Sequence, residues 1–336
     1  MKLFKIEEND ANQRLDKFLK KLFPNATRSL IYKFNRKDKI KIKFEWSEWK
    51  YKKRDNEYKL QVWDKIKIFL KDEDFDTLSE QKKIIETSFN KEKFNKNNIV
   101  YEDWDLFIIN KEAWINVHPW EHKTKETNII SQVQDYLWEK LNSLTFKPSL
   151  IHRIDRNTSW ILMIAKKKDI LTRLVKDFKE HKKIKKTYYT IVLWKLSRKE
   201  WTINKKLLRI ENAKKENKVQ VSEKWLTAIT HYKLLKEHIL KTNKETITIS
   251  EVEINIETWR MHQIRVHMAH LWNPILWDNS YWNKSLNHYL SKNFNLTRQA
   301  LHAWKISFFH YWKNKEIKLE AKIKKDLLNF INNIKK

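Results

Sequence analysis

A chain of 336 residues without a single glycine has few ways to turn. Only glycine enters the positive-φ half of backbone space at no steric cost, and tight turns and helix ends draw on it. Average usage would give about 24 glycines in a chain this long. Tryptophan, by contrast, occurs 17 times, in the company that a turn former keeps. The segments "VWDKI", "EAWINV", "HPW", "TSWI", "ETWRM", "LWNPILWD" and "HYWKNKE" set it beside Asn, Asp, Pro and Ser. With Gly in its place these become Gly-Asp, Gly-Asn and Pro-Gly turns. We expect most of the tryptophans to stand for glycine, through a codon that the source organism reads as Gly. Trp63, Trp160, Trp259, Trp272 and Trp277 are the strongest candidates. Trp304 is the weakest, since an aromatic suits the position after Leu-His-Ala. A Trp-rich surface stacking on RNA bases would account for the indoles but not for the missing glycine.

Lys and Arg number 71 against 42 Asp and Glu, a formal net charge of +29. An excess of that size, spread along the chain, points to a polyanionic partner, nucleic acid before any other. A Lys- and Asn-rich proteome is the bland alternative. Cysteine is absent, which excludes disulfides, thiol nucleophiles and Cys-based zinc sites. The opening "MKLFKIEEND" has no apolar core of signal-peptide length and no stretch approaches a membrane span. The expectation is a cytoplasmic monomer that does not engage membranes.

Residues 12–70 form a first module. "NQRLDKFLKKLF" places Leu15, Phe18, Leu19 and Leu22 at helical spacing. Pro24 and Asn25 end it, and "TRSLIYKFNR" starts a second helix with Thr27 as N-cap. "KIKIKF" and "DKIKIFL" alternate as strands. The Arg-Leu-Asp opening, the Thr-Arg-Ser entry and the closing strand after Val-x-Asp resemble the small RNA-binding domain named after ribosomal small-subunit protein S-four. That resemblance implies Arg14, Arg28 and Lys33 as RNA contacts. Asp38 stands where the family turns on Gly, a mild departure because Asp tolerates the left-handed region. A generic basic helical pair is the alternative reading. Residues 71–98 are polar with mixed charge and read as a linker, partly helical. From 99 to 325 strands and helices alternate, followed by the amphipathic "KKDLLNFINNIKK"; no internal repeat is present.

Four blocks carry chemistry: "YEDWDLFIINKEAWINVHPW" (101–120), read as strand, turn and strand; "HRIDRNTSWILMIAK" (152–166); "KKTYYTIVLWK" (185–195); and "TWRMHQIRVHMAHLWNPILWD" (258–278), with "LHAWKISF" following. With Trp read as Gly, they resemble the RluA-type pseudouridine synthases over most of residues 99–310. The resemblance implies an α+β catalytic domain, a largely antiparallel mixed sheet around an RNA-binding cleft, behind the small helix-helix-strand module. It implies Asp155, in the His-Arg-Ile-Asp loop, as the catalytic aspartate. Tyr188 matches the active-site tyrosine lying against the uracil, and Arg265 the basic partner of the aspartate. Arg153 and Arg156 flank Asp155, and Arg156 is the residue assigned to the flipped nucleotide. Thr158 and Ser159 are expected to set the loop by local hydrogen bonds. The arrangement is that of bacterial enzymes modifying large-subunit ribosomal RNA, with transfer RNA as the other substrate class.

The chemistry agrees. Isomerising uridine breaks the bond between N1 and C1′, turns the uracil and joins C5 to C1′. No redox cofactor, metal or ATP is required, and we expect none. One ionised carboxylate suffices, as nucleophile at C1′ or C6 or as base at the sugar, with a cation beside it to keep it charged. Taken singly, Asp155 and Arg265 could be a structural ion pair and Tyr188 a core residue. His262, His267 and His270 lack a metal-ligand spacing, and His118 and His122 are separated by a Pro turn. "MHQIRVHMAHLW" reads as a helix with residue 272 at the C′ position before Asn273 and Pro274. The rival reading is a non-catalytic RNA-binding or ribosome-assembly factor on the same fold. Intact Asp155, Tyr188 and Arg265 argue against it.

Overall fold

The computed structural model describes residues 1–336 apart from 45–48, 80–92, 118–127, 138–140, 142, 153–157, 181–182, 212–216, 244, 283 and 335–336. The chain divides into two compact units. The first is Met1–Phe94 with Ser131–Ser149 and Ala165–Ile170; the second is Asn95–Ile130 with Leu150–Ile164 and Leu171–Lys336.

In the first unit, β1 (Lys2–Lys5) precedes the two helices and was not foreseen from the sequence. Helix α1 (Leu15–Leu22) buries Leu15, Phe18 and Leu19 completely, each stabilising the unit by about 1.5–3 kcal/mol. Helix α2 (Arg28–Arg36) begins as its sequence dictates: the Thr27 hydroxyl accepts from the Leu30 amide at 3.2 Å. It ends at Asp38, φ 57°, with the Lys39 amide returning to the Phe34 carbonyl. That is a left-handed helix end built on Asp instead of Gly. Strands β2 (Ile40–Phe44) and β3 (Asp64–Ile68) alternate inward and outward, and the antiparallel sheet runs β1-β3-β2. Helix α3 (Asp72–Ser79) covers the described start of the linker. Buried Asp10 ties residues 144 and 145 to this unit, accepting from both their amides at 2.7 and 2.8 Å.

The remaining elements are β4 (Ile99–Glu102), β5 (Leu106–Lys111), α4 (Ile129–Leu137), β6 (Ser149–Leu150), β7 (Ser159–Ala165), α5 (Lys168–Glu180) and β8 (Ile184–Leu193). They continue as β9 (Glu200–Asn204), β10 (Lys206–Glu211), β11 (Asn217–Ser222), β12 (Ile229–Lys241), β13 (Thr246–Ile256) and α6 (Gln263–His270). The last are α7 (Lys284–Phe294), β14 (Leu301–His310), β15 (Lys315–Glu320) and α8 (Lys325–Ile334). One mixed sheet dominates, in the order β4-β5-β7-β14-β8-β13-β12-β9, with β15 beside β14 and β6 beside β7. Its β14–β7 pair is parallel, while β4–β5, β14–β8, β8–β13, β13–β12, β12–β9 and β14–β15 are antiparallel. This is the α+β architecture expected. Central β7 buries Ile161 to Ala165 without interruption, as a strand covered on both faces must. Strands β10 and β11 form a separate two-stranded ribbon.

The turn between β4 and β5 is held by Asp103, which accepts from the amides of Asp105 and Leu106 at 2.9 and 2.8 Å. Asp103, Asp105 and His310 lie close enough to hold a metal ion. Asp103, however, is already bound by Lys313 at 2.8 Å and His310 at 2.9 Å. Burial would raise its pKa, yet Lys313, the Tyr101 hydroxyl and the turn amides hold it well below the usual carboxylate range.

Ten described residues have positive φ, and five of them are Trp63, Trp114, Trp194, Trp272 and Trp277. The other five are Asn, Asp or His, types that tolerate this region. Trp160 and Trp259 are not in this group, so no left-handed backbone marks those two candidates. Trp304 sits where the β14–β8 register shifts, and its indole donates to Glu320 at 2.9 Å.

Candidate active site

Strand β8 turns Lys186, Tyr188 and Thr190 to one face, all buried. Across the sheet Tyr188 lies opposite Ala303 of β14, and Ala303 lies opposite Trp160 of β7. Two strand spacings of about 4.8 Å therefore separate the backbone of Tyr188 from the start of β7. The His-Arg-Ile-Asp loop enters the sheet at that start. Asp155, Arg153 and Arg156 themselves lie outside the described residues.

Both flanks of that loop are fixed. On the far side, Gln299 donates to the Thr158 hydroxyl at 2.8 Å, and the Ser159 hydroxyl meets His302 Nδ1 at 2.8 Å. These partners lie more than 140 residues away, and the residues a local bond would reach, 153–157, lie outside the described residues. Buried Arg298 stiffens the segment supplying them, gripping Asp326 through Nε and Nη2 and donating Nη1 to the carbonyls of Gln299 and Leu301. Burial lowers the His302 pKa to about 4, so its imidazole is neutral near pH 7. On the near side, His152 Nε2 accepts from the Met163 amide at 3.2 Å, and its ring stacks on Phe178 of α5 at 4.6 Å. The Lys186 ammonium lies 4.2 Å from the Phe178 ring and 3.4 Å from that of Trp259, which is 5.8 Å from His152. Burial drives the Lys186 pKa well below its ordinary value. Residues from three of the four sequence blocks thus meet around Phe178.

Arg265 lies on α6, buried, and grips Asp278 with two parallel bonds, Nε to Oδ2 and Nη2 to Oδ1, both 2.7 Å. Asp278, 1% exposed, also accepts from the Ser280 amide at 3.0 Å. The helix ends at Trp272, φ 61°, with the Asn273 amide returning to Met268, the C′ arrangement expected before Asn-Pro. The segment after it is sewn to β8. Leu193 donates to the Pro274 carbonyl and Leu276 to that of Ile191, both at 2.9 Å. The strand carrying Tyr188 thus also anchors the segment ending in Asp278. His267 uses both ring nitrogens, on Thr230 at 2.9 Å and the Lys205 carbonyl at 3.2 Å, and burial lowers its pKa to about 4. His262 bonds Tyr281 at 2.8 Å.

Of the residues expected to touch RNA in the first unit, Arg28 and Lys33 project from α2 into solvent. Arg14 is engaged within the fold, by Asp16 and Glu57, each at 2.9 Å. Asp278, Lys186, Gln299 and His302 carried no role in the sequence reading. The Trp-Asp pair at 277 and 278 was the one available signal for Asp278, read there only as a turn.

The family profile described as RNA pseudouridylate synthase matches residues 105–270. A ribosomal large subunit pseudouridine synthase C from Buchnera aphidicola subsp. Schizaphis graminum is 34% identical over 332 residues, 98% of this chain and 96% of that protein. Its namesake from Buchnera aphidicola subsp. Baizongia pistaciae is 34% identical over 323 residues, 94% of this chain and 92% of that one. Among solved structures, human RNA pseudouridylate synthase domain containing 4 superposes with a TM-score of 0.56 at 21% identity, over 71% of this chain and 93% of the human one. That last likeness is one of fold.

Proposed function

The chain belongs to the RNA pseudouridylate synthase family, and from that premise we propose that it isomerises uridines of large-subunit ribosomal RNA, with Asp155 as the reacting carboxylate. Tyr188 lies against the uracil, Arg265 is the cation that keeps Asp155 ionised, and Arg153 and Arg156 hold the flipped nucleotide. The N1–C1′ bond breaks, the uracil turns, C5 joins C1′, the C5 proton leaves to solvent and N1 takes one up. Every atom of the substrate is conserved but that exchanged proton, so the chain's own side chains suffice.

One observation carries the reading. The block that opens with His152, the β8 block and the block from Thr258 to Asp278 are brought together through Phe178, Lys186 and the bonds between β8 and residues 274–276. His152 and Lys186 packed on Phe178, and residues 274–276 bonded to the same strand β8, tie parts of three blocks to one strand, which supports a single site. Large-subunit RNA as substrate rests on relatives so named along nearly the whole chain. Arg28 and Lys33 supply phosphate contacts from the first module, 12–70, and the protein acts as a cytoplasmic monomer. No helix among the described residues is long and apolar enough to cross a membrane.

The test is release of tritium from C5-labelled uridine in ribosomal RNA fragments by the purified protein. Turnover that disappears in Asp155→Asn while RNA affinity persists is the expected result. Binding without any release by the unaltered protein would favour the assembly-factor reading. Mapping pseudouridine in ribosomal and transfer RNA with and without the gene identifies the substrate class.

A further inference from the structure

Arg265 does not stand alone, and its companion has a function of its own. We propose that Asp278 is a positioning residue for the isomerisation: it locks the Arg265 guanidinium in one fixed orientation. This rests on the reading of Arg265 given above. The clamp uses Nε and Nη2, which fixes the plane of the guanidinium and its rotation about the chain. Asp278 is held in turn. The Ser280 and Tyr281 amides donate to its Oδ1 at 3.0 and 3.3 Å. Tyr281 lies with its ring 5.0 Å from the guanidinium, and its hydroxyl is tied to His262 at 2.8 Å and to the Val219 amide at 3.1 Å. The guanidinium is thereby held in one orientation, which is what an electrostatic contribution to a transition state requires. A purely structural ion pair would serve the fold equally well facing any direction, and its loss would act on stability alone.

The test is a double-mutant cycle on the full chain, using single-turnover tritium release at saturating RNA. Asp278→Asn and Arg265→Gln should each slow the chemical step by about tenfold or more, one decade being 1.36 kcal/mol of barrier, with RNA affinity within about twofold. The pair combined should be no slower than Arg265→Gln alone, because Asp278 acts only through Arg265. Asp278→Glu, which keeps the charge and moves it by one methylene, should recover part of the rate; it also serves if Asp278→Asn does not fold. Multiplying effects, or a normal rate in Asp278→Asn beside a slow Arg265→Gln, overturns the proposal. A normal rate in Arg265→Gln itself would instead overturn the reading of Arg265, so the two failures are distinct.

A second inference comes from the backbone alone. Five tryptophans hold φ between 61° and 75°, the region from which a bulky side chain is excluded and glycine is not. Trp272 occupies the C′ position of α6 with its indole 76% exposed, gaining nothing from burial. We infer that Trp63, Trp114, Trp194, Trp272 and Trp277 are glycines in the protein as its own cell makes it. Peptide mass spectrometry of the protein from its source decides it. Peptides spanning these positions should weigh less by one indole side chain each. Tryptophan found at these turns overturns the inference.

Discussion

The two units use the same residue types in opposite ways. In the second unit Arg265 and Arg298 are buried, each gripping a carboxylate with two bonds, and their freedom is gone. In the first unit Arg28 and Lys33 stand exposed to solvent on α2. A buried, oriented charge acts strongly on one atom at one place. An exposed charge acts weakly on any phosphate that comes near, and salt screens it. On the proposed function the division separates catalysis from affinity, and Arg14, paired with Asp16 and Glu57, is held like the buried arginines despite its place in the first unit.

That division has measurable consequences of graded size. Removing the proposed reacting group should matter most: Asp155→Asn should lower turnover by about 10³-fold or more, with RNA binding nearly intact, as read by tritium release and by filter binding. A matching fall in affinity would mean that the second unit carries binding as well. Next comes acid stability, a property of the buried class alone. His267 and His302 have their folded pKa lowered to about 4, below the ordinary value of about 6.5. Between those values the unfolded chain binds more protons than the folded one, so stability is complete above pH 6.5 and falls as pH drops towards 4. Each imidazole contributes on the order of 3 kcal/mol to that loss. Urea unfolding from pH 7 to 4 checks it, and replacing either His with an uncharged residue should flatten the slope. Neutralising Arg28 and Lys33 together should reduce the slope of log affinity against log salt by about 1 to 2 and appear in KM. A change in kcat of comparable size would dissolve the distinction. The smallest effect is structural: Trp272→Gly should raise stability by about 1 kcal/mol, visible as a melting shift of a few degrees.

Local chemistry was readable in advance, and distant pairing was not. The cap on Thr27, the left-handed Asp38, and the end of α6 at position 272 each depend on a few neighbouring residues, and each is where the sequence put it. The bonds of Thr158 and Ser159 to Gln299 and His302 could not be read in advance, because nothing in "HRIDRNTSW" mentions either partner. Asp278 was missed for the same reason: "GD"-like turns are common, and only the folded chain shows the turn delivering its carboxylate to Arg265. Strand β1 went unassigned because four alternating residues beside charged neighbours carry little pattern until β3 pairs with them.

The five left-handed turns also bear on how this gene can travel. Each forces a non-glycine side chain to carry about 1–2 kcal/mol of backbone strain, so five together approach about 5–10 kcal/mol. A folded domain has only about 5–15 kcal/mol to lose. A foreign cell that inserts tryptophan at these positions would make a polypeptide of the right length whose folded state is nearly isoenergetic with its unfolded one. Such a gene is confined to its own translation system by the shape of its turns, before any question of regulation or substrate arises. A synthetic version rewritten with ordinary glycine codons should cross that barrier in one step.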